Sequence, residues 1–258
     1  MSWLFAVCIA FSMFSRIPMP RLDWTPQRMR WVMACFPLVG LAVGGGVLLW
    51  GLVAWWLDLG ELLRGVGFAL VPLGVTGGIH LDGLADTVDA LASHGDRQRR
   101  QEILADPHTG AFGVMAVCAY LMAFGALGSS LNPGLSSLGS FGLVFVLSRC
   151  LSALGMVAFP LARSSGLAYA LAAPAARRVT AVVAAGAGVL SAALMMNLGG
   201  IPGAAAVLAA LGTFAVYRFW LLEQFGGLSG DLAGWFVQLS ELAALGGLVL
   251  AQRLLAVL

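Results

Sequence analysis

Asp82, Asp86 and Asp89 fall at i, i+4 and i+7 in the stretch Gly77-Gly78-Ile79-His80-Leu81-Asp82-Gly83-Leu84-Ala85-Asp86-Thr87-Val88-Asp89-Ala90. At about 3.6 residues per turn, this spacing sets all three carboxylates on one helical face. Like charges so close repel one another and weaken a helix unless a cation lies among them. A hard divalent ion such as Mg²⁺ takes oxygen ligands, so an aspartate stripe suits it better than a Cys/His set would. His80 directly precedes the stripe, where an imidazole could orient a carboxylate or move a proton. The competing reading is a solvated first helical turn, in which the dipole favours acids. The stripe follows a membrane-length apolar run, and carboxylates at such depth default to function, which favours the metal reading.

Two glycine-rich segments carry further candidates. Asp106-Pro107-His108-Thr109-Gly110-Ala111-Phe112-Gly113 opens an apolar segment, so the backbone N–H groups around Gly110 and Gly113 could approach a phosphate, with Asp106 beside them. An ordinary capped loop explains the same pattern. Gly226-Gly227-Leu228-Ser229-Gly230-Asp231-Leu232-Ala233-Gly234 repeats the logic: Gly230 suits a loop wrapped round a ligand, and Asp231 is a further metal or ribose-hydroxyl contact. Arg149 lies in the middle of an apolar segment, where insertion costs roughly 2.5–3.5 kcal/mol or more, so it must face the bundle interior. Its partner is either a buried carboxylate, Glu241 or Asp231, or a substrate phosphate that guanidinium can hold bidentately.

The elements that must position these groups follow from composition. Of 258 residues, 60% are hydrophobic and 10% charged, and the mean hydropathy is +0.93. A water-soluble core cannot hide so much apolar surface. The chain is read as an all-α, polytopic integral membrane helix bundle, one catalytic domain over residues 1–258. Against a hydrocarbon core that needs about 20 helical residues, the spans expected are Trp31 to Leu57, Leu62 to Ile79, Ala111 to Leu131, Leu138 to Leu161, Val179 to Leu198, Ile201 to Leu222 and Trp235 to Val257. Ser2 to Phe14 is short for a crossing, so seven or eight apolar segments are expected.

Charge placement orients them. Arg16, Arg21, Arg28 and Arg30 crowd the first loop, Arg97, Arg99 and Arg100 the third, and Arg163, Arg177 and Arg178 the fifth, while the intervening loops are nearly free of Arg. Positive-inside then puts the odd loops, with the aspartate stripe, Asp106, Arg163 and Asp231, on the cytoplasmic side, around one polar cavity. No basic run with interleaved aromatics suggests nucleic acid. All fourteen basic residues are Arg, which excludes P-loop and Schiff-base lysines. Cys8, Cys35, Cys118 and Cys150 lack C-x-x-C spacing and read as buried small hydrophobes.

Carboxylates, arginines and glycine loops, without a lysine or a nucleophilic elbow, fit phosphoryl transfer by positioning and charge neutralisation. The ordered set His80-Leu81-Asp82-Gly83-Leu84-Ala85-Asp86-Thr87-Val88-Asp89, Ser15-Arg16-Ile17-Pro18-Met19-Pro20, Phe36-Pro37-Leu38-Val39-Gly40, Asp106 to Gly113, Arg149, Arg163-Ser164-Ser165-Gly166 and Gly226 to Gly234 resembles the cobalamin synthase family. Many members of that family carry an acid where this chain has Leu81. The resemblance implies transfer between adenosylcobinamide-GDP and α-ribazole or its 5′-phosphate, with release of GMP, in the bacterial inner membrane. It implies Mg²⁺ held by Asp82, Asp86, Asp89 and Asp231, and phosphate contacts from Asp106, Gly110, Gly113, Arg149, Arg163, Gly230 and Asp231. Two alternatives stay open at this level. One is a CDP-alcohol-type phosphotransferase, although its Arg after Gly83-Leu84-Ala85 is missing. The other is a cation- or proton-coupled carrier with carboxylates on the transport path.

Overall fold

A computed structural model describes residues 2–258. The helices are α1 (Ser2–Phe14), α2 (Pro26–Met29), α3 (Val32–Trp56), α4 (Glu61–Thr76), α5 (Ile79–Ala92), α6 (Arg97–Ile103), α7 (Ala111–Ser130), α8 (Leu135–Ala158), α9 (Gly166–Ala172), α10 (Arg177–Val216), α11 (Leu222–Phe225) and α12 (Gly230–Val257). A π-helical turn, Tyr217–Leu221, joins α10 to α11. The isolated bridge of extended chain is between Leu161 and Leu228.

Helices α3, α7, α8, α10 and α12 are long and apolar enough to cross a membrane, and α4 with α5 forms a further pair bent by 99°. The expected spans correspond to these helices, with one joint the sequence places well and one it does not. At Gly200 the backbone leaves the helical region (φ 58°, ψ −130°), inside what is otherwise 40 residues of continuous α10. Those residues would run about 60 Å as one straight helix, twice the hydrocarbon thickness. Instead the chain doubles back there, so that a side chain on Gly203 would strike the Met195 carbonyl. The break at Gly200 falls between the two segments expected from Val179 to Leu198 and from Ile201 to Leu222.

The unexpected joint is between α4 and α5. Gly77 and Gly78, both left-handed (φ 68° and 84°), end α4 and start α5. This leaves α4 at 16 residues. It also turns α5 by 99° from α4 and lays it against the first turns of α7 and α12, with Asp89 beside Gly110 and Gly113 and Gly83 beside Asp231. The first expected span beyond α3 therefore stops short of Ile79, and the stripe lies on a separate helix.

Polar backbone contacts gather the loops at two ends. At the α5 end, the Arg16 N–H donates to Val75 O, Ala176 N–H to Arg30 O and Ala162 N–H to Leu228 O. At the opposite end, Arg64 donates to Ser129 O, Arg253 to Ser130 O and Gln252 to Ser137 Oγ. Only Arg64 and Arg253 lie at that end, so the Arg-rich loops share the α5 end, as the charge pattern predicts. The core between the ends is stitched by aromatic pairs such as Phe68–Phe141, with ring centroids 5.4 Å apart.

Candidate functional site

Helix α5 touches α12 where both lack side chains. A Cβ on Gly83 would lie 2.7 Å from Asp231 O, and one on Gly234 would lie 3.0 Å from His80 O. Only glycine lets the two backbones approach so closely. The crossing brings Asp82, on α5, beside Asp231, in the first turn of α12. Asp86 lies next along the stripe. Burial, helped by the charges of Asp82, Asp231 and Asp89, raises its carboxyl from the ordinary 3.8 to about 6.

Asp82, Asp231, Gly230, Arg163 and His80 line one cavity of about 380 Å³. Asp82 also lines a second, open groove of about 420 Å³ together with Gly77, Gly78 and Thr109. It therefore stands between the two spaces. The donor set is four carboxylates, none in an ion pair among the described residues. Hard oxygens with surplus negative charge fit a divalent cation such as Mg²⁺. No three His, Cys, Asp or Glu side chains among the described residues converge into a cage made of protein alone. Mg²⁺ completes a partial protein shell with waters and substrate phosphates.

The structure redistributes the other expected residues. Asp89 is not aligned with its neighbours in function: one carboxylate oxygen accepts the Gly110 N–H (2.7 Å) and the other the Gly113 N–H (2.8 Å). It caps the N-terminus of α7 from another helix, satisfying donors that have no partner within α7. Gly110 and Gly113 are consequently not free for phosphate, which corrects that expectation. Asp106 is likewise corrected. Its carboxylate accepts the His108 N–H (3.0 Å) and meets His108 Nδ1 (2.7 Å) on the surface, away from the cavity. These bonds hold its pKa below the ordinary value.

Arg149 is the largest correction. It is wholly buried in an ion pair with Glu241, also wholly buried. Ser148 joins the pair, accepting from Arg149 Nη1 (3.0 Å) and donating to Glu241 Oε1 (3.2 Å). A guanidinium so enclosed holds α8 to α12 and does not face the cavity. The arginines of α6 are also engaged: Arg97 Nε donates to Glu223 O (2.8 Å) and Arg100 Nη1 to Gln224 Oε1 (2.6 Å). They cap the carbonyl end of α11. Arg163 donates to Gln101 O, which fixes it at the cavity wall.

Sequence reasoning missed the apolar lining of the cavity, Phe14, Met33, Phe36, Met156, Leu171 and Phe225. These residues come from α1, α3, α8, α9 and α11, and a hydrophobic residue in an apolar helix carries no signal of which cavity it will face.

The profile of the cobalamin-5-phosphate synthase family matches residues 6–249 of this chain. The chain belongs to the cobalamin-5-phosphate synthase family. A relative from Lachnoclostridium phytofermentans, named adenosylcobinamide-GDP ribazoletransferase, is 36% identical over 252 residues, 98% of this chain and 96% of its own length. Relatives of the same name from Pseudomonas entomophila (36% over 254 residues, 94% and 97%) and Geobacillus kaustophilus (31% over 253 residues, 90% of each) match similarly. No solved structure matches the fold. Family membership makes this chain a transferase, and the match extends through every segment that supplies the cavity.

Proposed function

We propose that this chain joins adenosylcobinamide-GDP to α-ribazole or its 5′-phosphate, completing a cobalamin and releasing GMP. The observation that carries the reading is the crossing at Gly83, which sets Asp82 and Asp231 on the wall of the cavity that Arg163 also lines, in a chain whose relatives bear the ribazoletransferase name. A ribazole hydroxyl attacks the phosphorus that bears the cobinamide arm. The new O–P bond forms as the bridging P–O bond of the pyrophosphate breaks, GMP carries off the bridging oxygen, and the hydroxyl proton is released.

Asp82, Asp86 and Asp231 would hold Mg²⁺, with Asp89 supporting α7 beside them. When bound, Mg²⁺ supplies charge neutralisation of the pyrophosphate and acidifies the attacking hydroxyl. Asp82 orients the acceptor hydroxyl and takes up its proton. Arg163 contributes a fixed positive charge toward the departing phosphate. The Arg-rich end that holds the site faces the cytoplasm of a bacterial inner membrane, by positive-inside.

Purified protein in detergent, supplied with adenosylcobinamide-GDP and α-ribazole, should release GMP and form the cobalamin product. Chelation with EDTA should stop both, and Mg²⁺ should restore them. Cation flux through proteoliposomes without nucleotide turnover would instead establish the carrier alternative.

A further inference from the structure

The cavity is lined by chemically distinct sets. Asp82, Asp231 and Arg163 make the charged set, Phe14, Met33, Phe36, Met156, Leu171 and Phe225 the apolar one, and Gln101, Ser152, Ser165 and Ser229 add uncharged polar groups. Against Phe14 and Phe36 of the apolar set sits His80. Its ring stacks near Phe14 (centroids 6.0 Å, planes 12° apart) and lies 5.8 Å from Phe36. His80 is 5% exposed, and neither ring nitrogen has a hydrogen-bond partner among the described residues. A buried polar group without a partner is costly and calls for an explanation. His80 also lines the cavity, so a ligand seated there can supply the partner.

We infer that this cavity is the acceptor site: it takes an apolar bicyclic heteroaromatic nucleoside, with the base against the wall that Phe14, Phe36 and His80 form and the ribose hydroxyls toward Asp82 and Asp231. This rests on the proposed transferase reading and assigns one of its two substrates to one space. Size is the first reason. A nucleoside of about twenty non-hydrogen atoms is of order 300 Å³, within reach of this cavity and in the usual range for ligand pockets. A corrinoid is several times larger and does not enter.

The second reason is hydrogen-bonding demand. Guanine presents several donors and acceptors along its edge, more than His80 and Ser152 can satisfy among Phe14, Met33, Phe36 and Met156. The dimethylbenzimidazole of ribazole presents one acceptor, the ring nitrogen that does not bear the sugar. One imidazole N–H satisfies it. Met33 and Met156 supply adaptable contacts to an aromatic ring. Asp82 reaches both spaces, so the donor's pyrophosphate can meet the acceptor hydroxyl from the open groove that Gly77, Gly78 and Thr109 line.

The test begins on the wild-type protein. Free dimethylbenzimidazole should inhibit competitively against α-ribazole and not against adenosylcobinamide-GDP. It should bind about tenfold more tightly than dimethylindole, which lacks the acceptor nitrogen; tenfold is the scale of one buried hydrogen bond. In His80→Phe that ratio should fall to about one, while KM for the donor stays within about twofold of wild type. Leu171→Trp, which fills the cavity, should raise KM for α-ribazole by about tenfold or more with the donor's KM unchanged. Competition of the free base with the donor, or a preference for dimethylbenzimidazole that persists in His80→Phe, overturns the inference while GMP release by the wild type continues. Absence of GMP release from the wild type overturns instead the transferase reading beneath it.

Discussion

At the scale of single residues, the site gathers carboxylates against their mutual repulsion. Asp86 has its carboxyl raised to about 6 by burial and by the neighbouring Asp82, Asp231 and Asp89. A group whose folded pKa exceeds its unfolded value stabilises the fold below the unfolded value, and that stability is lost as pH rises through the folded pKa. The metal-free protein should therefore melt at a higher temperature at pH 5 than at pH 7, with Mg²⁺ reducing the difference. Asp86→Asn should remove much of this pH dependence and raise the melting temperature at pH 7 by a few degrees. Turnover should fall by about a hundredfold, the scale of losing one electrostatic stabiliser. A variant that is both less stable at pH 7 and fully active would count against a role for Asp86 in binding the cation.

Arg149 and Glu241 pose a different problem, because both are wholly buried. Arg149 Nε, Arg149 Nη2 and Glu241 Oε2 lack partners, so the pair is incompletely satisfied. Removing one member strands the other charge, which typically costs about 3–5 kcal/mol, whereas replacing both with apolar residues of like volume is often neutral or better. Arg149→Met should unfold far more easily than wild type. Arg149→Met combined with Glu241→Leu should recover most of the loss, with KM for the donor unchanged in the joint variant. Thermal unfolding and steady-state kinetics on one preparation decide it: recovered stability with a weakened donor would return Arg149 to the phosphate.

At the scale of elements, the α5–α12 crossing sets the distance between Asp82 and Asp231. Gly83 has no room for a side chain, since its Cβ would lie 2.7 Å from Asp231 O and 2.9 Å from Asp231 Cα. These are backbone atoms that cannot rotate away, so the helices must separate. Overpacking of this kind costs about 1–3 kcal/mol. Gly83→Val should show that loss in thermal unfolding and, in the fraction that remains folded, a kcat lowered by about tenfold or more, because displaced carboxylates no longer face one reacting centre. Gly45, with nothing near its missing Cβ, provides the control: Gly45→Ala should leave kcat unaltered. The capping of α7 by Asp89 belongs to the same scale, for it ties the C-terminal part of α5 to the start of α7.

At the scale of the whole molecule, the loops that carry Arg16, Arg97, Arg163 and Arg177 meet at the end where α5 lies, and Arg64 and Arg253 mark the other. The proposed orientation, with the Arg-rich end inward, rests on this asymmetry. With the native cysteines replaced, a cysteine at Ser93 or Ser165 should react with an impermeant thiol reagent only from the cytoplasmic face. One at Asn132, in the loop between α7 and α8, should react only from outside. Labelling of Ser93→Cys from outside would invert the assignment.

Much of this was legible in the chain itself. Apolar runs long enough to cross a membrane, the Arg bias between loops, and the i, i+4, i+7 spacing of Asp82, Asp86 and Asp89 are local or additive properties, set by hydration and helix period, so they can be read without knowing what packs on what. Gly200 shows the limit of such reading. Its place between two apolar runs suggests a break, but only φ 58° and the fold-back onto Met195 make it a reversal. The partner of each polar group was decided by tertiary structure. Arg149 found Glu241, 92 positions away in the chain, rather than a phosphate. Asp89 took the N–H groups of Gly110 and Gly113, and Phe14, Phe36 and His80 met around one cavity. In a low-dielectric interior a buried donor, acceptor or charge can pair only with what the packing brings within about 3 Å, and packing is a property of the assembled helices that no one segment contains.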